Sequence, residues 1–135
     1  MDESDQLARV GDFLYSDGSP LDGFMGGEEA ANAEVRRRYP NKPFCLVQRW
    51  MLVDLIVGDR LRAEIETSGL LRQLVYAHEV VFDSAGRFLA GDWVRSSLGL
   101  ASPKDGFFET RNTVYVLLGC GCTKRAEYGV VFSIH

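Results

Sequence analysis

After Gly69 the chain reads as a succession of β segments joined by short connections, and that spacing constrains the fold more than any other feature. LLRQLVYAHEVVFD is followed by a turn at Ser84, Ala85 and Gly86, then by RFLAGDWVRSS and a loop from Leu98 to Gly106. FFETRNTVYVLLG comes next, then a tight turn around Cys120 to Lys124 and a last segment, EYGVVFSI. Each segment is rich in β-branched and aromatic residues and is bounded by turn formers. A parallel pair needs a crossover of about a dozen residues or more, so these connections predict antiparallel neighbours.

Two helices are predicted upstream. EEAANAEVRRRY, from Glu28, has acids in its first turn, bases in its last and Pro40 just beyond. Ala31, Val35 and Tyr39 fall four apart and mark its core side. Asp59 is expected to cap RLRAEIETSG, with Leu61 and Ile65 on one face and Gly69 just past the helix end. Between them FCLVQRWMLVDLIV reads as a strand, although Leu46 to Val57 alone also suits a buried helix. Residues 1–27 scatter Gly11, Gly18, Pro20, Gly23, Gly26 and Gly27 among Asp and Ser, which predicts an irregular arm with one helical turn through Gln6 to Val10. The expected architecture is therefore an arm, 1–27, and a single α+β domain, 28–135: a curved antiparallel sheet of about five strands with two helices packed on one face.

A chain of 135 residues can bury one real core without disulfides or a structural metal. Its net charge of −4 leaves no basic footprint, which disfavours nucleic acid as a partner. The acidic start, Met1, Asp2, Glu3, Ser4 and Asp5, lacks the basic and apolar regions of a secretory signal. The longest apolar run, Trp50 to Val57, is broken by Asp54 and falls short of the roughly 18 residues that a membrane span needs. A cytoplasmic protein with reduced thiols and no membrane segment is expected.

Few residues suggest chemistry. Cys120 and Cys122 flank Gly121, but only Cys45, His78 and His135 remain to complete a zinc site, with no paired spacing, so neither a metal nor another cofactor is expected. In LVYAHEVVF the period of two groups Leu74, Tyr76, His78, Val80 and Phe82 on one side, and Val75, Ala77, Glu79 and Val81 on the other. His78 there reads as a hydrogen-bonded core or rim residue before it reads as a catalyst. Arg36, Arg37 and Arg38 suit a helix C-terminus, and three consecutive residues spread around the helix, so only part of the run can grip one anion.

The most suggestive group is Asp92, Arg95, Glu109 and Arg111, with Ser96, Ser97, Thr110 and Asn112 nearby. These charges either bond one another across a ladder or line a cleft in which Arg95 or Arg111 binds an anion and Glu109 acts as base. Asp92 and His78 are weaker catalytic candidates. No nucleophile with its own base is visible, which tilts the open question of catalysis towards no. Trp93, between Gly91 and Val94, is expected to be buried and to anchor sheet to helix. Phe13, Leu14, Tyr15, Leu21, Phe24 and Met25 are too apolar for a disordered tail, so the arm must cover either this domain or a partner.

GRFLAGDWVRSS followed by GFFETRNTVYVLLGCG resembles the C-terminal signature of an uncharacterised bacterial family of small proteins of unknown function, over roughly residues 75 to 125. The resemblance implies no activity and no residue role. The signature asks only for the glycines near Cys120 and Cys122, which weakens a cysteine-based site.

The functional expectation is a small cytoplasmic binding protein that associates stoichiometrically with a protein partner, of the inhibitor or immunity type and of accessory or phage-derived origin. Its binding residues would be drawn from Arg95, Arg111, Arg36, Arg37, Arg38 and Phe24. The alternative is a small enzyme or anion-binding domain using Asp92, Arg95, Glu109 and Arg111. A nucleic-acid role would need Arg36, Arg37 and Arg38 to share a surface with Lys104, Lys124 or Arg125. Oligomeric state stays open.

Overall fold

A computed structural model describes residues 3–134. Met1 and Asp2 of the acidic start, and His135 as a candidate ligand, lie outside the described residues. In chain order the elements are α1 (Glu3–Tyr15), β1 (Ser19–Asp22), α2 (Gly27–Arg38), β2 (Phe44–Ile56), α3 (Asp59–Thr67), β3 (Gln73–Asp83), β4 (Val94–Arg95), β5 (Phe107–Glu109), β6 (Val114–Leu117), β7 (Cys120–Glu127) and α4 (Tyr128–Val131). The protein is thus α+β, with a seven-stranded sheet among the described residues.

Strand β2 organises that sheet. Along one edge it pairs antiparallel with β3. Along the other it pairs in parallel with two strands in succession, β6 from Phe44↔Val114 to Val47↔Leu117 and β7 from Met51↔Cys122 to Ile56↔Glu127. β5 then adds antiparallel to β6, β1 to β7 and β4 to β3. The sheet is therefore mixed, and the antiparallel expectation fails at β2. Short turns constrain only consecutive strands, whereas β2 is separated from β6 by α3 and three strands, ample length for a parallel return.

The tight turn expected around Cys120 to Lys124 is instead strand. Gly119, at φ 68°, lets the chain step from β6 into β7 while both keep running along β2. The reversal lies earlier, inside FFETRNTVYVLLG, where Thr110 N–H donates to Thr113 C=O at 2.8 Å and closes the β5–β6 hairpin. RFLAGDWVRSS contributes only Val94–Arg95, and EYGVVFSI opens with α4 instead of forming a strand.

One residue lets β2 serve two cores. Cys45, Val47, Trp50 and Leu52 all belong to the same buried cluster, although Val47 and Trp50 are an odd number of residues apart. Arg49, at φ 54°, shifts the phase of the strand between them. β3 changes phase in the same place: Val80 joins Val75 and Ala77, so its predicted grouping with Tyr76 and His78 fails. This first core is completed by Val94, Phe108, Tyr115 and Leu117. Leu100 N–H donates to Glu109 C=O at 2.9 Å and, with the Gly99↔Thr110 bridge, ties the β4 side of the sheet to β5 without closing a barrel.

The opposite face of β2 packs against α1, α2 and α4. Ala31 and Val35 of α2 pack with Phe44, Leu46, Val114 and Val116, as the helical stripe predicted. Phe13 of α1 and Val130 and Val131 of α4 pack with Met51, Val53, Leu55, Leu74 and Tyr76. The first 27 residues are thus not an irregular arm: α1 is three turns of helix docked through Phe13, and β1 extends the sheet. Asp59 begins α3 as its first helical residue, Gly58 being the N-cap, whereas Gly69 at φ 75° does end it, with Leu70 N–H reaching Ile65 C=O.

Candidate protein-binding face

Helix α1 has no basic residue in its last turn, so its C-terminal carbonyls, the negative end of the helix, are satisfied from elsewhere. The Lys124 ammonium on β7 donates to Phe13 C=O at 2.6 Å. The His78 imidazole on β3 lies beside the Leu14 backbone, which raises its pKa. Two strands thereby fix where α1 ends, and Tyr15 is carried over the imidazole.

A tier of rings results. Tyr15 stacks on His78 with centroids 5.8 Å apart, and Tyr76 meets the same imidazole edge-on at 5.2 Å. Tyr76 in turn stacks on Trp93 at 5.6 Å, with Phe13 edge-on to its ring at 6.1 Å. Tyr76 is buried, at 4 % exposure, while Tyr15 and Trp93 stand open at 76 % and 39 %. Trp93 is therefore not the buried anchor expected. β4 begins only at Val94, which faces the first core opposite Ala77; Trp93 lies one step before that pair and is covered by Tyr76 on one face of its indole.

The electrostatics of the tier centre on His78. Partial burial lowers its pKa first, the Arg49 charge lowers it further, and Lys124 adds to this against the opposing effect of the Leu14 backbone. The imidazole is accordingly neutral at neutral pH. Arg49 itself is exposed, and its guanidinium makes no ion pair or hydrogen bond among the described residues.

The polar group singled out from sequence is dispersed by contrast. Asp92 Oδ2 accepts from Leu89 N–H at 2.9 Å and closes its own turn. Arg95 reaches the carbonyls of Val131 and Ile134 at 3.1 and 3.2 Å, and its guanidinium lies over Phe132. Glu109 pairs with Lys42 at 2.8 Å, and Arg111 donates to Ser68 C=O, past the end of α3, at 2.6 Å. Ser96 and Thr110 are buried and bond backbone. Ser97 and Asn112 are exposed. No hydrogen bond or ion pair joins any two of Asp92, Arg95, Glu109 and Arg111 among the described residues.

The arginine run is similarly engaged. Arg36 bonds Asn32 and lies over Phe44, while Arg37 and Arg38 share Glu34, whose carboxyl is pulled down to about 2 by their hydrogen bonds. Arg38 also covers Phe107, where Phe24 packs edge-on at 5.7 Å. Of the thiols, Cys45 is buried, and burial pushes its pKa to about 12. Cys120 donates to Asp22 at 3.2 Å, and Cys122 is half-buried. No group of three or more potential metal ligands forms among the described residues.

Two features were missed in the sequence. One is the ring tier itself, whose signal was Tyr76 and His78 alternating on one strand face with Trp93 in the adjacent segment. The other is Asp83, which is buried and pairs with Arg87 at 2.9 Å while accepting from the Arg87 and Phe88 backbone. Its signal was an acid and a base four apart across the Ser84-Ala85-Gly86 turn.

A cleft of about 840 Å³ runs beside α1 along β7, lined by Arg9, Asp12, Asp17, Lys124, Arg125 and Glu127 among others. Acids and bases alternate around it, Arg9 pairing with Glu127 at 3.4 Å. No helix is long and apolar enough to cross a membrane among the described residues.

No curated protein and no solved structure matches the chain. Residues 22–133 match a family model, leaving α1 and most of β1 outside the matched region. The chain belongs to the family described as Domain of unknown function (DUF6957).

Proposed function

We propose that the protein acts by stoichiometric association with a protein partner in the cytoplasm, in the manner of an inhibitor or immunity protein of accessory or phage-derived origin. The observation that carries this reading is the ring tier: Tyr15 and Trp93 are exposed yet each rests on a neighbouring ring, Tyr15 on His78 and Trp93 on Tyr76. Exposed aromatic rings whose rotamers are already fixed lose little entropy on binding, and such residues dominate protein interfaces. Catalysis by Asp92, Arg95, Glu109 and Arg111 has less support, since each is engaged in a separate contact. Arg36, Arg38 and Phe24 pack on rings of β2 and β5, and Arg37 pairs with Glu34 while staying largely exposed.

Co-purification from cells that make the protein tests this. Wild type should retain a partner in fixed ratio, and Tyr15→Ala combined with Trp93→Ala should lose it with the fold intact. Retention by that double variant, or turnover of a small substrate abolished by Glu109→Gln at unchanged stability, contradicts the reading.

A further inference from the structure

We infer that the face made by Tyr15, His78 and Trp93 with Arg49 receives an acidic segment of its partner, a carboxylate pairing with Arg49 while a neighbouring apolar side chain lies against the open rings. This rests on the association reading above and adds the partner's chemistry to it.

Arg49 stands across the ladder from His78, between the Gln48↔Glu79 and Trp50↔Ala77 pairs, and its charge is felt at the imidazole. The fold needs a left-handed residue here to bring Val47 and Trp50 into one core, and glycine would adopt φ 54° at lower cost. Nothing in the packing requires a guanidinium at this place. Arg49 is nevertheless long, exposed and without an ion-pair partner among the described residues, across from the imidazole on which the exposed Tyr15 stacks.

The neighbouring groups set the sign. Lys124 also faces His78; one of its three N–H groups is committed to Phe13 C=O, and its charge adds to the positive potential. The carboxylates adjacent in sequence are turned to other tasks: Glu79 accepts from Gln48 at 2.6 Å, and Asp92 accepts from Leu89 N–H. On a protein of net charge −4 this spot is locally positive and aromatic, which steers and orients an acidic segment. A single unpartnered cation suits one carboxylate; a nucleic acid backbone calls for several phosphate contacts.

The test is an array of short peptides graded from strongly acidic to strongly basic, each with and without an aromatic residue, probed with full-length protein beside single-stranded DNA. Binding should concentrate on acidic, aromatic-containing peptides and weaken with salt. Arg49→Gly, which keeps the backbone conformation and removes the charge, should weaken it about tenfold or more, and Arg49→Lys should retain most of it. Equal binding by wild type and Arg49→Gly, preference for basic or neutral peptides, preference for DNA, or no binding across the array each overturns the inference. Neutral aromatic peptides bound in a Trp93-dependent, Arg49-independent way would sink this inference and leave the association reading standing.

Discussion

Gly121 shows how closely single positions are fitted. A Cβ built there would lie 2.4 Å from Cδ2 of Trp50, a ring buried in the first core. Neither the indole, which donates to Leu118 C=O at 3.0 Å, nor β7 can give way cheaply. Gly121→Ala should destabilise by about 1–3 kcal/mol, read from denaturant melts; an unchanged midpoint contradicts the packing. Asp83 is the second such position. Burial works to raise its pKa, yet hydrogen bonds from the Arg87 side chain and backbone and from Phe88 N–H outweigh it, and the carboxyl titrates below its usual range. A depressed acid stabilises fully above the unfolded value, near pH 3.9, and loses that contribution as pH falls through the folded value. Asp83→Asn should therefore flatten the acid limb of stability. Asp83→Ala should cost about 2–3 kcal/mol at neutral pH, below the full value for a buried pair because Arg87 is 38 % exposed. A wild-type acid limb in Asp83→Asn would assign the buried charge elsewhere.

At the scale of elements, α1 is the piece whose attachment is most testable. Phe13 is its one fully buried side chain among the described residues, packed on Tyr76, so Phe13→Ala should destabilise by about 3 kcal/mol. A loss well under 1 kcal/mol would mean that α1 is not docked. His78 adds a pH dependence of definite sign. Its folded pKa is depressed, so its contribution is complete above the unfolded value of about 6.5 and is lost as pH falls through that value towards the folded one. In His78→Phe the ring stacking survives without titration, and the fall in stability over that window should shrink; identical curves would remove His78 from the account. The two helices with sequence-readable ends, α2 and α3, were legible because acids, bases, Gly69 and Pro40 are local signals. α1 was hidden because Gly11 interrupts a weak pattern and its docking depends on Lys124 and His78, far away in sequence. The RFLAGDWVRSS segment was overread as strand, since its β-forming residues are mostly spent on turns closed by Asp83 and Asp92.

For the whole molecule, the mixture of helix with sheet and the family resemblance could be read from sequence, whereas the sheet's path could not. Consecutive strands reveal their pairing through turn length, but β2 chooses β6 and β7 through the summed burial of Phe44 to Leu55, and no local spacing records that choice. The phase shift at Arg49 was equally invisible, because a left-handed arginine has no sequence signature. The dispersed fates of Asp92, Arg95, Glu109 and Arg111 follow from the same cause: two of them sit beside turns, and their partners Lys42, Ser68, Val131 and Ile134 come from other parts of the chain. Among the described residues the tier at the end of α1 joins two exposed rings, Tyr15 and Trp93, through Tyr76 and His78, and partner association is proposed to run through it. Hydrogen exchange of the free protein against its purified complex tests that claim most directly. Added protection is expected around Tyr15, through Tyr76 to Glu79 and at Trp93 to Arg95, together with the Arg49 segment of β2. Protection confined to Leu100 to Asn112 or to α2, with the Tyr15 and Trp93 segments unchanged, would contradict it.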